Sequence, residues 1–311
     1  MRVYRFIKIA FSIVVLSVAS YGSCNDLARA YPSVIKGCSG NKLLWRGGGS
    51  VKYDDGKRKS FNQALNHPSP KDMFRYTYRR GKVVAPSKNY DPGRIRYEPL
   101  FFRMYGSSAS VARRNLVSIN WFGQRIRVTR VNGVASKLKA VERELAKIPN
   151  IRKYLRPIGG TFKWRKIAGT SRMSVHSFGA AIDINVKYSA YWRWNKGKYR
   201  YQNKIPLSIV KVFEKHGFIW GGRWYHYDTM HFEYRPELLN MRGERVLKRY
   251  RAKPSKHKIS SPTEGKVYII KSGDNLGRIA DRFHMREETL MKLNGIEDKN
   301  LIKIGQKLKL K

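Results

Sequence analysis

Hydrophobic and polar residues alternate in short runs through the middle of the chain, and two longer stretches follow a helical period. Val117, Ile119 and Trp121 alternate with polar residues, and Ile126 and Val128 do so after a turn, which predicts a β-hairpin. The other predicted elements are a helix with Val134, Leu138, Val141 and Leu145 on one face, strands near Gly160–Ile167 and Ala180–Asn185, a helix from Pro206 to Gly217, and strands near Phe218–Trp220 and His231–Tyr234. This pattern indicates an α+β domain over residues 111–240, a small antiparallel sheet with flanking helices.

Residues 24–110 show no sustained helical or strand period. Turn signals recur there, at Gly47-Gly48-Gly49, at Asp54-Asp55-Gly56 and at Asp91-Pro92-Gly93. We expect an ordered N-terminal extension that packs on the domain behind it and carries no recognisable chemistry of its own.

The last 46 residues, 266–311, form a second pattern. A strand near 267–270 is followed by a helix with Leu276, Ile279 and Phe283, a second helix with Leu290 and Leu293, and an alternating strand near 307–310. This pattern predicts a separate βααβ module. Lys and Arg recur beside Pro and Ser over residues 241–265, which predicts a basic linker. Its positive charge also favours binding to an anionic wall or membrane surface.

The C-terminal module carries the motifs YIIKSGDNL from residue 268, NGI from residue 294 and IGQKL from residue 304. In these motifs it resembles a LysM domain. The resemblance implies binding of peptidoglycan through its N-acetylglucosamine-containing glycan. It places the sugar groove at Gly273, Asp274, Asn275, Leu301 and Ile302.

The first residues are typical of an export signal. Arg2, Arg5 and Lys8 precede an apolar run over 9–19, which is too short to span a bilayer, and small residues follow it. We therefore assign residues 1–23 to a signal peptide and expect the protein in the periplasm or cell envelope. The formal net charge of +44 predicts a polyanionic partner. Nucleic acid is excluded by the export signal and by the absence of a groove-reading motif.

Cys24 and Cys38 are the only cysteines, which excludes Cys-rich zinc fingers and iron–sulfur clusters. In an oxidising compartment they are candidates for a disulfide that closes a short loop. The alternative is a lipoprotein anchored through a lipid on Cys24, which would leave Cys38 without a partner.

Two histidines lie in polar clusters within apolar surroundings. His176 lies in a loop rich in Gly, Ser and His, and Asp183 follows between two isoleucines, where a carboxylate is costly to bury unless it is paired or bound to metal. Asp228, His231 and Glu233 lie among aromatic residues later in the chain. Two histidines and one carboxylate form the ligand set of a catalytic zinc site, with the fourth position left for water. A structural His–Asp pair is the alternative on these residues alone.

Three motifs from residues 159 to 236 carry a second resemblance: SVHSFGAAID from residue 174, WGGRW from residue 220 and DTMHFE from residue 228. In them the chain resembles the VanY-type zinc D-Ala-D-Ala peptidase family, whose fold also serves L-Ala-D-Glu endopeptidases. The resemblance implies that His176, Asp183 and His231 bind Zn²⁺ and that Asp228 is the catalytic base. Asp228 and His231 are three residues apart, so they converge only if the chain bends between them.

The remaining candidate residues surround this centre. The resemblance places an arginine for the oxyanion or substrate carboxylate on the strand before the His loop, which selects Arg165, with Arg172 as runner-up. Ser174 is expected to bind substrate or to support the metal loop. His226 and Glu233 are expected to orient the base and a ligand.

These observations predict an exported zinc peptidase that hydrolyses peptidoglycan stem peptides, most simply as a D-alanyl-D-alanine carboxypeptidase. An endopeptidase of the L-Ala-D-Glu type is the alternative among enzymes. The alternative outside the enzymes is a wall-binding scaffold with a structural zinc ion, against which Asp228 argues because a structural site needs no additional carboxylate.

Overall fold

A computed structural model describes residues 22–239 and, in the C-terminal part, residues 267–270, 274–283, 285, 287–298, 302 and 304–310. The predicted signal peptide up to residue 21 and the predicted linker 241–265 lie outside these residues. The chain divides into two compact units, Met1–Val246 and Leu247–Lys311. Among the described residues, no helix combines the length and apolar character needed to cross a membrane.

The first unit contains seven helices and eight strands in its described residues. The helices are α1 (Cys24–Ala30), α2 (Phe61–Asn66), α3 (Glu98–Tyr105), α4 (Ala109–Arg114), α5 (Val134–Leu145), α6 (Arg152–Leu155) and α7 (Leu207–Lys215). The strands are β1 (Ile35–Ser39), β2 (Lys42–Trp45), β3 (Ser50–Lys52), β4 (Leu116–Trp121), β5 (Gln124–Thr129), β6 (Ala181–Asp183), β7 (Phe218–Trp220) and β8 (His231–Tyr234). The predicted α+β class is confirmed.

Three small antiparallel sheets organise this unit. Strands β1, β2 and β3 form a sheet in the extension, β4 and β5 form the predicted hairpin, and β6, β8 and β7 form a sheet with β8 in the centre. In this last sheet Asp183 of β6 is directly paired with His231 of β8. Two residues 48 positions apart in sequence are thereby brought side by side.

The extension and the following domain share one hydrophobic core. Leu27, Tyr31 and Phe101 of the extension are buried in the same cluster as Phe178 and Phe232 of the domain. The extension also contains more helices and strands than its sequence suggested. The sequence did not indicate them because each is too short to show a clear period. This shared packing fixes the extension against the sheet that carries Asp183 and His231.

The predicted strand near Gly160–Ile167 is wrong. The described backbone there forms only isolated bridges, from Gly160 to Asp183 and from Lys166 to Met173. The Ser177 hydroxyl accepts a hydrogen bond from Arg165 N at 2.9 Å, and Lys163 N donates to His176 O at 3.2 Å. This segment is therefore bonded to the loop that carries His176 and is not part of a sheet.

The second unit has the predicted βααβ order: β9 (Val267–Ile269), α8 (Leu276–Arg282), α9 (Glu287–Leu293) and β10 (Lys307–Lys309). Strands β9 and β10 pair antiparallel, with Tyr268 opposite Leu308. A small separate core includes Ile270, Leu276 and Leu290.

Candidate metal centre and active site

His176 lies in a short 3₁₀ turn, Val175–Phe178, just before β6. The Ser174 hydroxyl accepts a hydrogen bond from His176 N at 3.4 Å and caps the turn. The turn ends at Gly179, whose φ of +66° favours glycine and where a Cβ would lie 2.6 Å from Leu116 Cδ2. The tight exit from the turn directs the chain into β6 and so towards Asp183.

Three side-chain atoms converge where the turn meets the sheet. His176 Nε2 lies 3.1 Å from Asp183 Oδ1 and 3.1 Å from His231 Nδ1, and His231 Nδ1 lies 2.9 Å from Asp183 Oδ1. The two imidazoles are buried and Asp183 is 19% exposed. The three atoms therefore form a nearly equilateral triangle that is open to solvent on one side.

The outer nitrogens of both histidines have other partners. His176 Nδ1 lies 3.0 Å from Thr161 O, which can only accept, so this nitrogen carries the proton. His231 Nε2 lies 3.0 Å from Glu233 Oε2, a carboxylate that also accepts. The remaining ring nitrogens, His176 Nε2 and His231 Nδ1, face Asp183 and each other.

Three acceptors at such short separations require positive charge between them. Without an ion, protons would have to supply that charge. The pKa of His231 is accordingly raised. Burial alone would lower that pKa, but the hydrogen bonds to Asp183 and Glu233 outweigh burial and raise it to about 10. Imidazole nitrogen and carboxylate oxygen bind Zn²⁺ at about 2.0–2.2 Å, a radius that three atoms about 3 Å apart can share. The donor set therefore fits a zinc ion, and His176, Asp183 and His231 can act as its ligands.

Asp228 lies beside this triangle, and the chain does bend as its position requires. His231 N donates to Asp228 O at 3.2 Å, which closes a turn through Thr229 and Met230. Asp228 Oδ1 is buried and has no hydrogen-bond partner among the described residues. Burial and the nearby Asp183 carboxylate raise the pKa of Asp228 to about 7. A carboxylate with a free oxygen and a raised pKa is suited to accept and return a proton near neutral pH.

Glu233 is held by two arginines as well as by His231. Arg235 Nη1 donates to Glu233 Oε1 at 2.9 Å, and Arg96 Nη1 lies 3.7 Å from Glu233 Oε2. Burial would raise the pKa of Glu233, but Arg96, the His231 hydrogen bond and Arg235 outweigh it and lower the pKa to about 2. Glu233 is therefore a fixed anion that sets the orientation and tautomer of His231.

A pocket of about 130 Å³ opens over the triangle. Most of the candidate residues line it: Arg165, Ser174, His176, Asp183, His226, Asp228, His231 and Glu233. Arg165 is exposed at the rim. Arg172 is not among the described lining residues; it is buried behind the wall, where its Nη1 donates to Arg94 O at 3.3 Å. Burial and the charges of Arg96 and Arg94 lower the pKa of Arg172 to about 10.

The extension contributes pocket residues that the sequence did not reveal. Arg94 and Arg96 line the pocket, and the buried Asp91 binds the His226 ring at 2.6 Å. These residues lie far from the family motifs, in a segment without a clear period. The only local indication of these pocket residues in the sequence is the Asp-Pro-Gly turn at 91–93, which is followed by two arginines that flank Ile95.

The predicted glycan groove is only partly described. Gly273 and Leu301 lie outside the described residues. Asp274 Oδ2 accepts a hydrogen bond from the Tyr268 hydroxyl at 2.6 Å, Asn275 is exposed and Ile302 is half-buried.

Cys24 and Cys38 are joined by a disulfide, which connects α1 to β1. The Sγ atom that lipidation of Cys24 would need is therefore part of this bond. The predicted pairing is the arrangement found in the structure.

The α+β unit thus carries a candidate metal site, a His–Asp–His triangle beside a carboxylate with one oxygen that has no described partner. Residues 168–234 match a family model described as D-alanyl-D-alanine carboxypeptidase, and residues 268–311 match the LysM domain model. Both resemblances are thereby confirmed: the chain joins a peptidase-family segment to a LysM domain. No curated protein and no solved structure matches it.

Proposed function

We propose that the protein is an exported zinc metallopeptidase that hydrolyses the stem peptides of peptidoglycan as a D-alanyl-D-alanine carboxypeptidase. The observation that carries this proposal is the convergence of three acceptor atoms beside the unpaired Asp228 Oδ1 in one pocket. The family match of residues 168–234 supports a peptidase, and the LysM match supports a cell-wall substrate.

His176, Asp183 and His231 would hold the metal. A zinc ion held by them would supply Lewis-acid chemistry, which polarises a carbonyl and lowers the pKa of water. Asp228 takes a proton from the attacking water and then returns it to the departing amine, which needs only one carboxylate with a suitably raised pKa. Arg165, at the rim of the pocket, stabilises negative charge that develops on the carbonyl oxygen. Ser174 supports the turn that holds His176.

The LysM module would keep the enzyme on its polymeric substrate. In this proposal Gly273, Asp274, Asn275, Leu301 and Ile302 bind N-acetylglucosamine-containing glycan. The net charge of +44 supports additional electrostatic contact with anionic wall polymers. We place the protein in the periplasm or cell envelope after removal of residues 1–23, with the Cys24–Cys38 disulfide formed there.

Mass spectrometry of defined muropeptides tests the proposal. The full-length protein should release a single terminal D-Ala, lose this activity with chelator and regain it with Zn²⁺. Cleavage next to L-Ala would assign the endopeptidase specificity instead. Chelator-resistant cleavage by both the wild type and Asp228→Asn would contradict the metal site and the base together.

A further inference from the structure

A buried carboxylate of the extension organises one wall of the active-site pocket. Asp91 is fully buried, and its Oδ2 lies 2.6 Å from His226 Nδ1 and 3.0 Å from Arg94 Nη1. Its Oδ1 accepts a hydrogen bond from His226 N at 3.0 Å. Burial would raise the pKa of Asp91, but His226 and Arg94 outweigh burial and lower it, so Asp91 stays ionised. One carboxylate thus fixes both an arginine and a histidine.

The surrounding rings hold these two side chains in place. The Arg94 guanidinium lies 5.9 Å from the centre of the Trp224 ring. The His226 ring packs against the edge of Trp192 at 4.8 Å and stacks with Phe61 at 5.9 Å. Because the aromatic contacts and Asp91 restrict their rotamers, little entropy would be lost when a ligand binds.

The close approach of the extension depends on Gly93. Its φ is +98°, and a Cβ there would lie 2.3 Å from Ile219 Cδ1 of β7. The turn at 91–93 can therefore lie directly on the catalytic sheet, which brings Arg94 into the pocket wall.

Each of the two side chains keeps a polar edge for a ligand. Within the described part of the chain, Arg94 Nε and Nη2 and His226 Nε2 have no hydrogen-bond partner, although both residues line the pocket. Arg94 therefore offers N–H donors at a cationic centre. Asp91 Oδ2 accepts the proton on His226 Nδ1, and in the tautomer that carries its single proton there Nε2 is an acceptor.

From this pairing we propose that Arg94 and His226 form a subsite for the leaving residue of the substrate. Arg94 binds a free α-carboxylate, and His226 Nε2 accepts a hydrogen bond from the amide N–H of the same residue, which is the scissile amide. Asp91 is the positioning residue for both. The inference rests on the proposed peptidase function and adds a specificity: the residue after the cleaved bond must carry a free α-carboxylate.

Two kinds of residue in a stem peptide have this chemistry. One is a terminal D-Ala, and the other is a D-Glu that continues the chain through its side chain and leaves its α-carboxylate free. The donor and acceptor on the protein are the same for both, so matched peptides are needed to distinguish them.

Binding to full-length, zinc-loaded Asp228→Asn protein tests the subsite without turnover. Calorimetry would compare a peptide ending in D-Ala-D-Ala with its terminal amide, and an L-Ala-γ-D-Glu peptide with its α-amide. We expect one free acid to bind about 10- to 100-fold more tightly than its amide. Adding Arg94→Gln should bring this ratio close to one while binding of the amide stays unchanged.

The matched control is Arg125→Gln, which removes the same charge from an exposed position on the β4–β5 hairpin and should keep the ratio. Asp91→Asn should reduce the ratio without loss of zinc. An unchanged acid-to-amide ratio in Arg94→Gln overturns the subsite, and so does the absence of any preference in either peptide series. Turnover of the same peptides by the wild type is the separate test of the peptidase: equal cleavage of acid and amide would refute only the subsite.

Discussion

One acceptor atom beside each candidate histidine ligand holds the proton on its outer ring nitrogen. Thr161 O holds the proton of His176 on Nδ1, and Glu233 holds that of His231 on Nε2. A backbone carbonyl cannot be replaced by mutation, but Glu233 can. The dependence of metal binding on these outer contacts is therefore testable at Glu233.

We expect Glu233→Gln to weaken zinc affinity about 10- to 100-fold, because the amide no longer holds His231 with a negative charge. Competition with a chromogenic chelator measures this directly. Glu214→Gln is the control: Glu214 is also buried and binds Arg223 at 2.7 Å and the Tyr78 hydroxyl at 2.9 Å, but it has no described hydrogen bond to His231 or Glu233. Equal zinc affinity in Glu233→Gln and the wild type would contradict a role of Glu233 in zinc binding.

Substitution of Asp228 and His176 should separate turnover from metal binding. Asp228→Asn keeps the size of the side chain but cannot take a proton, so it should retain stoichiometric zinc and lose about 10²–10⁴-fold in kcat. His176→Ala removes a ligand and should lose both zinc and activity. Metal analysis and peptide hydrolysis on the same samples give both values. Wild-type turnover by Asp228→Asn, or full zinc in His176→Ala, would show that the site is assigned wrongly.

At this scale the sequence predicted the residues that lie within its motifs and missed those that act from a distance. His176, Asp183 and His231 could be selected as candidates because an acid between isoleucines is costly to bury unless it is paired or bound to metal. Asp91 and Arg94 could not, because only tertiary packing brings residue 91 to residue 226. Arg172 was a candidate by proximity in sequence, yet its side chain is buried behind the wall of the pocket.

At the scale of elements, the position of Asp228 depends on a glycine that precedes it. Asp228 N donates to Gly221 O at 3.1 Å, and a Cβ on Gly221 would lie 2.4 Å from Asp228 O. The obstacle is backbone, so it cannot rotate away as a flexible side chain could.

Gly221→Ala should therefore lower the free energy of unfolding by about 1–3 kcal/mol and lower kcat, because it displaces the segment that carries Asp228. Zinc content should remain, since no proposed ligand lies in that segment. Chemical denaturation and steady-state kinetics measure the two effects. Gly47→Ala is the control, because a Cβ there meets nothing within 4 Å. Equal stability and kcat in the two variants would contradict this role.

The junction between the turn at 91–93 and the segment before β8 predicts a dependence on pH. The pKa of Asp91 is lowered on folding, so its stabilising effect is complete above its unfolded pKa of about 3.9 and is lost as the pH falls through the lower folded value. The stability difference between wild type and Asp91→Asn should therefore be constant from pH 5 to 6 and shrink below about pH 4. Denaturant titrations over this pH range measure this stability difference. A difference that grows on acidification would contradict the lowered pKa of Asp91.

The elements themselves were predictable where one periodicity dominates. The β4–β5 hairpin, α5, β7 and β8 have clear patterns and lie where expected. The segment 160–167 alternates in a similar way but is bonded through Ser177 and His176 to a loop, and no sequence period encodes such contacts. The short elements of the extension are stabilised by packing in the shared core. Their local sequence therefore indicates them only weakly.

At the scale of the whole molecule, we expect the first unit to hydrolyse the peptide and the second unit to retain the protein on peptidoglycan. A chain that ends at Val246, where the first unit ends, should hydrolyse soluble stem peptides with unchanged kcat/KM. It should be retained less by purified peptidoglycan and should act more slowly on it, because tethering raises the local substrate concentration. Sedimentation with peptidoglycan and product release from it measure these effects. Equal retention of the two proteins at low and high salt would leave the LysM module without the proposed role.

Tyr31 lies at the start of a buried chain of hydrogen bonds that ends at His231, a candidate metal ligand. Its hydroxyl donates to Glu237, Glu237 binds Arg235, Arg235 binds Glu233, and Glu233 holds His231. The family match begins only at residue 168, so part of what positions the ligand lies outside the matched segment. The matched segment is therefore held in part by residues that lie outside it. A fragment cut at residue 168 would lack Tyr31, Asp91, Arg94 and Arg96, so a transplanted or truncated version of the matched segment should keep its metal only if the extension is included.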